Sequence, residues 1–364
     1  MQIQIQRKSL VKSSDSLRPL LKSLLDGPSL PLLQELAQWE LANTQRAAAL
    51  GVVAATVDQQ IHQRAALLRS LYPTFCPLCD RWLGNPADYL PTLWQLWIPL
   101  AQQLATQRQQ LNRPLIQGIL GGQGTGKTTL SAMLTLILQT LGYKTLSWSL
   151  DDLYKPYRDR LQLQQQNPQL IWRGPPGTHD VELGIQTLDH LRHPIAGQTI
   201  AIPRFDKSLH NGMGDRIAPE PVADIDIVLF EGWFVGVEPI AAIAFDAPPA
   251  PITTLSDRTF AQECNQRLAD YRPLWQRLDR LWVLYLPDYH LSQQWRKQAE
   301  HQMKASGKPG MTDTEIDAFV EYFWKALHPD LFIRPACDRA DLVIEINPDH
   351  APGEIWLGSR EFGN

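Results

Sequence analysis

Apolar residues recur at helical spacing through the first third of the chain. The Ala-, Leu- and Gln-rich stretch 46–71 keeps its Ala, Val, Ile and Leu on one face of a 3.6-residue period. The stretch around Trp94, Leu96 and Trp97 does the same, with Pro91 near its first turn. The pattern predicts an all-helical region over residues 1–112, with no visible chemistry. From Pro114 onward, short apolar runs of strand length alternate with helical stretches. The run 115–120 leads into a glycine-rich turn. A helix over 127–141 follows, with Leu130, Leu134, Ile137, Leu138 and Leu141 on one face and Gly142 ending it. Further strands are expected at 144–150, 199–202, 225–230, 281–286 and 342–346. Asp180 is placed to cap a helix that carries Val181, Gly184, Ile185, Leu188 and Leu191 on one face. Strands alternating with helices imply an α/β domain over 113–364: a mostly parallel sheet covered on both faces, a three-layer sandwich that binds ligands at the carboxyl ends of its strands.

Composition narrows the function. The chain has 364 residues, with 34 Lys plus Arg against 38 Asp plus Glu, a net charge of −4. That balance argues against a sequence-blind nucleic-acid binder, which needs a large positive surface. No apolar stretch reaches the roughly 18 residues of a membrane span. The N-terminus lacks the apolar core of a signal peptide, although residues 1–14 contain no acid, as in transit peptides. A soluble cytoplasmic protein with neither nucleic-acid nor membrane partners is expected; oligomeric state leaves no mark in the sequence. Cys76 and Cys79 form Cys-Pro-Leu-Cys without the second pair that a structural zinc site needs. They read as ordinary thiols in a helical segment, with a redox pair as the alternative. Cys264, at helical spacing with Phe260 and Leu268, reads as a core residue.

One motif carries chemistry outright. Gly121, Gly122, Gln123, Gly124, Thr125, Gly126, Lys127 and Thr128 fit G-x-x-x-x-G-K-[ST], and Thr129 continues into the helix. The glycines let successive N–H groups turn toward one anion at a helix N-terminus. Lys127 would reach the β- and γ-phosphates of ATP and Thr128 the Mg²⁺ ion. The apolar run 225–230 ends in Glu231, placed for the metal side of such a site. The chain contains neither Asn-Lys-x-Asp, which reads guanine, nor Leu-Ser-Gly-Gly. That leaves a small-molecule kinase, which needs a carboxylate near the acceptor hydroxyl. Asp151 and Asp152 end the second strand. Asp151 reads as the catalytic base and Asp152 as a metal-side acid, although an Asp-Asp pair also suits a helix N-cap.

The segments Ser149-Leu-Asp-Asp-Leu-Tyr-Lys155, Arg173-Gly-Pro-Pro-Gly-Thr-His-Asp180, Pro203-Arg-Phe-Asp-Lys-Ser208, Gly212-Met-Gly-Asp-Arg216 and Phe230-Glu-Gly-Trp-Phe-Val-Gly236 resemble the plant and cyanobacterial type of D-glycerate 3-kinase. That family is similar in fold to phosphoribulokinase, uridine kinase and pantothenate kinase. The resemblance implies a P-loop NTPase-type fold and ATP-dependent phosphorylation of the 3-hydroxyl of D-glycerate, the step that closes the photorespiratory glycolate pathway. Arg173, Arg204, Lys207 and Arg216 lie in loops where guanidinium forks suit a small carboxylate, and His179 and Asp180 are placed for its hydroxyls. The stretch 288–312 looks like the family's lid, with Arg296 closing on the transferring phosphate; an amphipathic surface helix is the alternative. Thr312 is expected to cap the helix holding Phe319, Phe323 and Trp324, and 347–350 is a position-only candidate for the adenine contact. Competing readings are a kinase of another small alcohol (uridine, pantothenate or ribulose 5-phosphate) and a non-catalytic nucleotide-binding regulatory protein.

Overall fold

The computed structural model describes residues 14–195, 197–305 and 310–358. The acid-free N-terminal stretch up to residue 13 and the Gly307–Pro309 part of the expected lid break lie outside these residues. The chain divides into two compact units, Met1–Gln103 and Leu104–Asn364.

The described part of the first unit is built of helices joined by short turns, one of which, at 50–56, interrupts the expected helical stretch 46–71. Helices α1 (Ser14–Asp26), α2 (Leu30–Ala42), α3 (Thr44–Ala49), α4 (Val57–Trp82) and α5 (Pro86–Thr92) lead through a π-helical turn at Leu93–Trp97 into α6 (Ile98–Gln110). The Ser29 hydroxyl starts α2 by accepting from the Leu32 N–H. Leu21, Leu36, Leu68, Phe75 and Trp94 are fully buried and form the apolar interior. A charged cluster lies among them. The Glu40 carboxylate accepts from Arg64 at 2.8 Å and from Arg46 at 2.9 Å, and all three residues are buried. The Arg46 and Arg64 guanidiniums also lie 4.4 and 5.2 Å from the Trp39 and Trp94 rings, so the aromatic faces stand in for part of the lost water. Cys76 and Cys79 are free thiols on α4, and burial raises the pKa of both.

The second unit builds its sheet from β1 (Leu115–Gly121), β2 (Thr145–Ser149), β5 (Ile227–Gly232), β6 (Arg280–Tyr285), β7 (Leu342–Ile346) and β8 (Pro352–Trp356). Among the described residues it has six strands in the order β2-β5-β1-β6-β7-β8, parallel except for the last pair. Every residue of β1 and β5 is buried, as a strand covered on both faces requires. Helices α7 (Lys127–Thr140), α8 (Tyr157–Gln166), α9 (Val181–Arg192), α10 (Leu255–Arg267), α11 (Arg272–Trp275), α12 (Leu291–Ala305), α13 (Asp313–Ala326) and α14 (Pro329–Arg339) complete the unit. Asp180 caps α9 through the Leu183 N–H, and Thr312 begins α13 in a reciprocal capping box with Glu315. Cys264 is buried in the core, as its spacing predicts. No described helix is long and apolar enough to cross a membrane.

One expected strand belongs elsewhere. The segment predicted at 199–202 extends to β3 (Ile200–Asp206) and leaves the parallel sheet. It pairs antiparallel with β4 (Asp215–Val222), which the apolar pattern does not mark. The reason is compositional. The strand β4 reads Asp-Arg-Ile-Ala-Pro-Glu-Pro-Val, and two prolines without N–H donors exclude it from a sheet interior. The register of this ribbon shifts between Ile202 and Arg204, at Pro203. Arg204 and Arg216 therefore sit on paired strands, not in loops.

Glu40→Ala would leave two buried guanidiniums without their carboxylate. A loss of about 3–5 kcal/mol of unfolding free energy is expected, seen as a lower denaturant midpoint for the transition that reports on this unit.

Candidate functional site

The turn from β1 into α7 is the phosphate loop. Gly124 and Gly126 have φ of +79° and +84°, in the left-handed region that only glycine enters freely. Thr125 closes the turn by donating its hydroxyl to the Gly122 carbonyl at 2.9 Å. Lys127 folds back over the loop, its Nζ 2.9 Å from the same carbonyl. Burial lowers the Lys127 pKa, with the Glu231 and Asp151 carboxylates pulling the other way. The Thr128 side chain is exposed and makes no hydrogen bond among the described residues. The loop has the shape to hold a polyphosphate, with an ammonium and a free hydroxyl beside it.

Acids stand on the neighbouring strand ends. Glu231 lies in register with Ile119 of β1 and Ser149 of β2. Burial raises its pKa, and Asp151 adds to the rise against the pull of Lys127. Among the described residues, no three His, Cys, Asp or Glu side chains gather as a metal cage. A hydroxyl and one carboxylate suit an ion such as Mg²⁺, which takes most of its ligands from phosphate and water.

Beyond Ser149, the chain makes a 3₁₀ turn, Leu150–Leu153. Ser149 caps it through the Asp151 N–H, and Asp152 bonds back to the Ser149 N–H. The turn separates the two aspartates. The Asp151 carboxylate accepts from Lys207 Nζ at 2.6 Å on one oxygen and from the Tyr154 hydroxyl at 2.8 Å on the other. Burial alone would raise the Asp151 pKa, but Lys207 and Tyr154 outweigh it and hold the carboxyl below its ordinary value. Asp152 faces the opposite way. It accepts from Arg204 at 2.9 Å and from the Phe205 N–H at 3.2 Å, which docks the β3–β4 ribbon. Capping and ribbon contacts thus engage both oxygens of Asp152, the acid expected on the metal side.

The segment carrying His179 zips onto this turn. The Lys155 N–H donates to the Thr178 carbonyl and the Asp180 N–H to the Leu153 carbonyl. His179 is 2% exposed and stacks on the Tyr154 ring at 4.6 Å. The Tyr271 hydroxyl accepts from the Gly177 N–H and shares a hydrogen bond with His179 Nδ1, 2.9 Å away. His179 Nε2 is buried without a partner. Burial depresses the His179 pKa to about 3.

The expected cation set divides. Lys207 reaches Asp151. Arg173 donates to the Gly212 and Met213 carbonyls through one nitrogen and keeps its other donors free. Arg204 is held between the carboxylates of Asp152 and Glu220, at 2.9 and 2.7 Å. Arg216 joins Asp180 at 2.8 Å and the Tyr154 carbonyl at 3.0 Å. Arg204, Arg216 and Asp180, expected at the substrate, spend these contacts within the fold. Tyr154 and Tyr271 escape sequence reasoning because their partners are set by the turn and by a contact across some 90 residues, |i−j| = 92 for Tyr271 and His179.

On α12, the expected lid arginine has partners of its own. Arg296 pairs with Glu300 at 2.9 Å and lies 5.9 Å from the Phe319 ring. Helix α12 instead presents Trp295. A Cβ at Gly124 would come within 2.9 Å of its indole. The Trp295 N–H donates to the Pro348 carbonyl, and its ring stacks on His350 at 4.0 Å. The 347–350 turn thus meets the phosphate loop through one tryptophan.

No family model matches the chain. A chloroplastic D-glycerate 3-kinase of Arabidopsis thaliana is 32% identical over 255 residues, 66% of this chain and 54% of that protein. The chain therefore spans about half the length of that relative. An uncharacterised kinase of Schizosaccharomyces pombe is 32% identical over 231 residues, 60% of this chain and 82% of its own length. A solved D-glycerate 3-kinase from Cryptococcus neoformans matches with a TM-score of 0.63 at 29% identity, covering 72% of this chain and 96% of its own.

The depressed basicity of His179 has a direct readout. Its ring should stay neutral throughout the range of about pH 5–8 in which an ordinary imidazole titrates. Imidazole ¹⁵N chemical shifts measured across that range should be flat for His179; a midpoint near 6.5 would contradict the buried stacking described above.

Proposed function

Because the chain belongs to the D-glycerate 3-kinase-like family of P-loop kinases, we propose that it transfers the γ-phosphoryl group of ATP to the 3-hydroxyl of D-glycerate, giving 3-phosphoglycerate. The observation that carries this reading is the Asp151 carboxylate at the end of β2, held by Lys207 and Tyr154 beside the Lys127–Glu231 edge of the phosphate loop. The 3-hydroxyl as acceptor and the photorespiratory setting follow the plant-type resemblance.

The residues divide the work as follows. Backbone N–H groups of 122–128 and the start of α7 bind the polyphosphate, and Lys127 follows the phosphate charge. Thr128 and Glu231 are the groups that would hold Mg²⁺ directly or through water; the ion supplies charge neutralisation on the transferring phosphate. Asp151 orients the acceptor hydroxyl and takes its proton late in a loose transition state. Its low pKa makes it a weak base in the ground state, so orientation is the larger part of its role. Lys207, reaching Asp151 from the end of β3, counters the charge that gathers when ATP meets two acids. His179 Nε2, buried without a partner, is a candidate contact for an acceptor hydroxyl, and Arg173 keeps donors free for a carboxylate.

Purified protein with ATP, Mg²⁺ and D-glycerate should yield 3-phosphoglycerate; turnover of uridine or pantothenate in its place would overturn the proposal. Asp151→Asn should cut kcat by about 10²-fold or more while ATP binding persists. Lys207→Ala removes the main charge that holds the Asp151 pKa down. Activity needs the ionised carboxylate and is lost as pH falls through its pKa, so the acid limb of the pH–rate profile should move to higher pH in this variant.

A further inference from the structure

Helix α8 is strongly polar, and the one residue it buries is an arginine. Arg160 is 9% exposed. Its Nη2 donates to the Met213 and Gly214 carbonyls. Its guanidinium carbon lies 5.0 Å from the Phe205 ring and 6.0 Å from the Tyr157 ring. Its Nη1 is buried with no partner. A buried guanidinium with an idle N–H is costly, since the donor has lost water and gained nothing.

A second guanidinium faces the same space. Arg160 and Arg173 both line a small pocket, partly open to solvent, with Tyr157, Trp172, Thr178 and Met213. Both hold the Met213 carbonyl, so one backbone oxygen sets their spacing. Burial lowers the Arg160 pKa, and the Arg173 charge lowers it further; Asp215 opposes them from nearby, but its oxygens accept from the Tyr157 and Arg216 N–H groups and from His210. Among the described residues, neither arginine forms an ion pair with a carboxylate. Two guanidiniums that repel each other, with unused N–H groups, form a subsite short of one oxyanion. Arg173 also lies 5.9 Å from the ring of Tyr154, whose hydroxyl holds Asp151, so the subsite borders the acceptor position.

We infer that Arg160 and Arg173 form an oxyanion subsite that binds the carboxylate of the acceptor, so that Arg160 makes the enzyme select hydroxy acids over neutral alcohols. The inference rests on the acceptor reading given above and adds to it a residue that no sequence motif marks. Arg160 acts on ground-state binding and selectivity, while Asp151 acts on transfer.

The test uses a matched pair of ligands, D-glycerate and D-glyceramide, which differ only in the charge of the group that would enter the subsite. Each is titrated into full-length protein loaded with a non-hydrolysable ATP analogue and Mg²⁺. The wild type should prefer the carboxylate by about tenfold or more. Arg160→Gln should bring the preference close to parity, with the affinity for the ATP analogue changed by less than about twofold. Arg160→Lys should keep part of it, because an ammonium retains charge without the fork. An undiminished preference in Arg160→Gln, or in Arg160→Lys should the first variant not fold, overturns the inference and leaves the kinase reading standing. Wild-type protein that binds neither ligand and phosphorylates neither would count against the acceptor reading itself.

Discussion

The charge balance at the carboxyl edge of the sheet governs the rest of the site. Lys127, Asp151, Lys207 and Glu231 sit within electrostatic reach of one another, two ammonium groups against two carboxylates. Removing one member of such a set leaves an uncompensated ion. The surrounding architecture supplies and holds the four. Strand β1 ends in the loop that brings Lys127, β5 carries Glu231 one residue before its end, and β2 runs into the turn that carries Asp151. Lys207 has no strand of the main sheet to ride on. It arrives on the β3–β4 ribbon, which explains why a proline-rich, largely exposed hairpin is fastened by Arg204 to Asp152 and by Asp215 to the Tyr157 N–H.

Aromatic rings complete the arrangement where water would weaken it. Tyr154 stacks on His179 and meets Phe205 edge-on; His179 meets Phe234 and Tyr271 edge-on. This wall keeps His179 uncharged next to Asp151. A protonated imidazole there would compete with Lys207 for the carboxylate and alter its position. Arg160 and Arg173, which hold carbonyls of the hairpin turn, lie along the same wall, over Tyr154, Tyr157 and Phe205.

The parts that the sequence reveals are those whose chemistry is local. The phosphate loop, the strand-ending Glu231 and Asp151, and the caps at Asp180 and Thr312 each depend on residues within a few positions of one another. The central strands are legible because each is an apolar run. What escapes detection depends on distant partners. Arg204 looks like a ligand clamp until Asp152, 52 residues earlier, claims it. Arg160 looks like one charge on a solvated helix until the hairpin turn closes over it. Arg296 and Trp295 cannot be told apart by spacing alone, since which of two adjacent helical residues faces the loop is decided by how α12 docks. The ribbon is missed because β4 carries too few apolar residues to announce a strand.

The contact between Gly124 and Trp295 reaches into the protein's history. Position 124 is one of the free positions of the phosphate-loop pattern, so nucleotide binding alone does not demand glycine there. The left-handed turn and the indole lying on it both do. A side chain at 124 would need a smaller residue at 295, and with it a different closure against Pro348 and His350. The constraint runs one way across the 171 residues between them: while Trp295 stays, position 124 must stay glycine, whereas a smaller residue at 295 leaves Gly124 free to remain. Related chains that keep the tryptophan should keep the glycine.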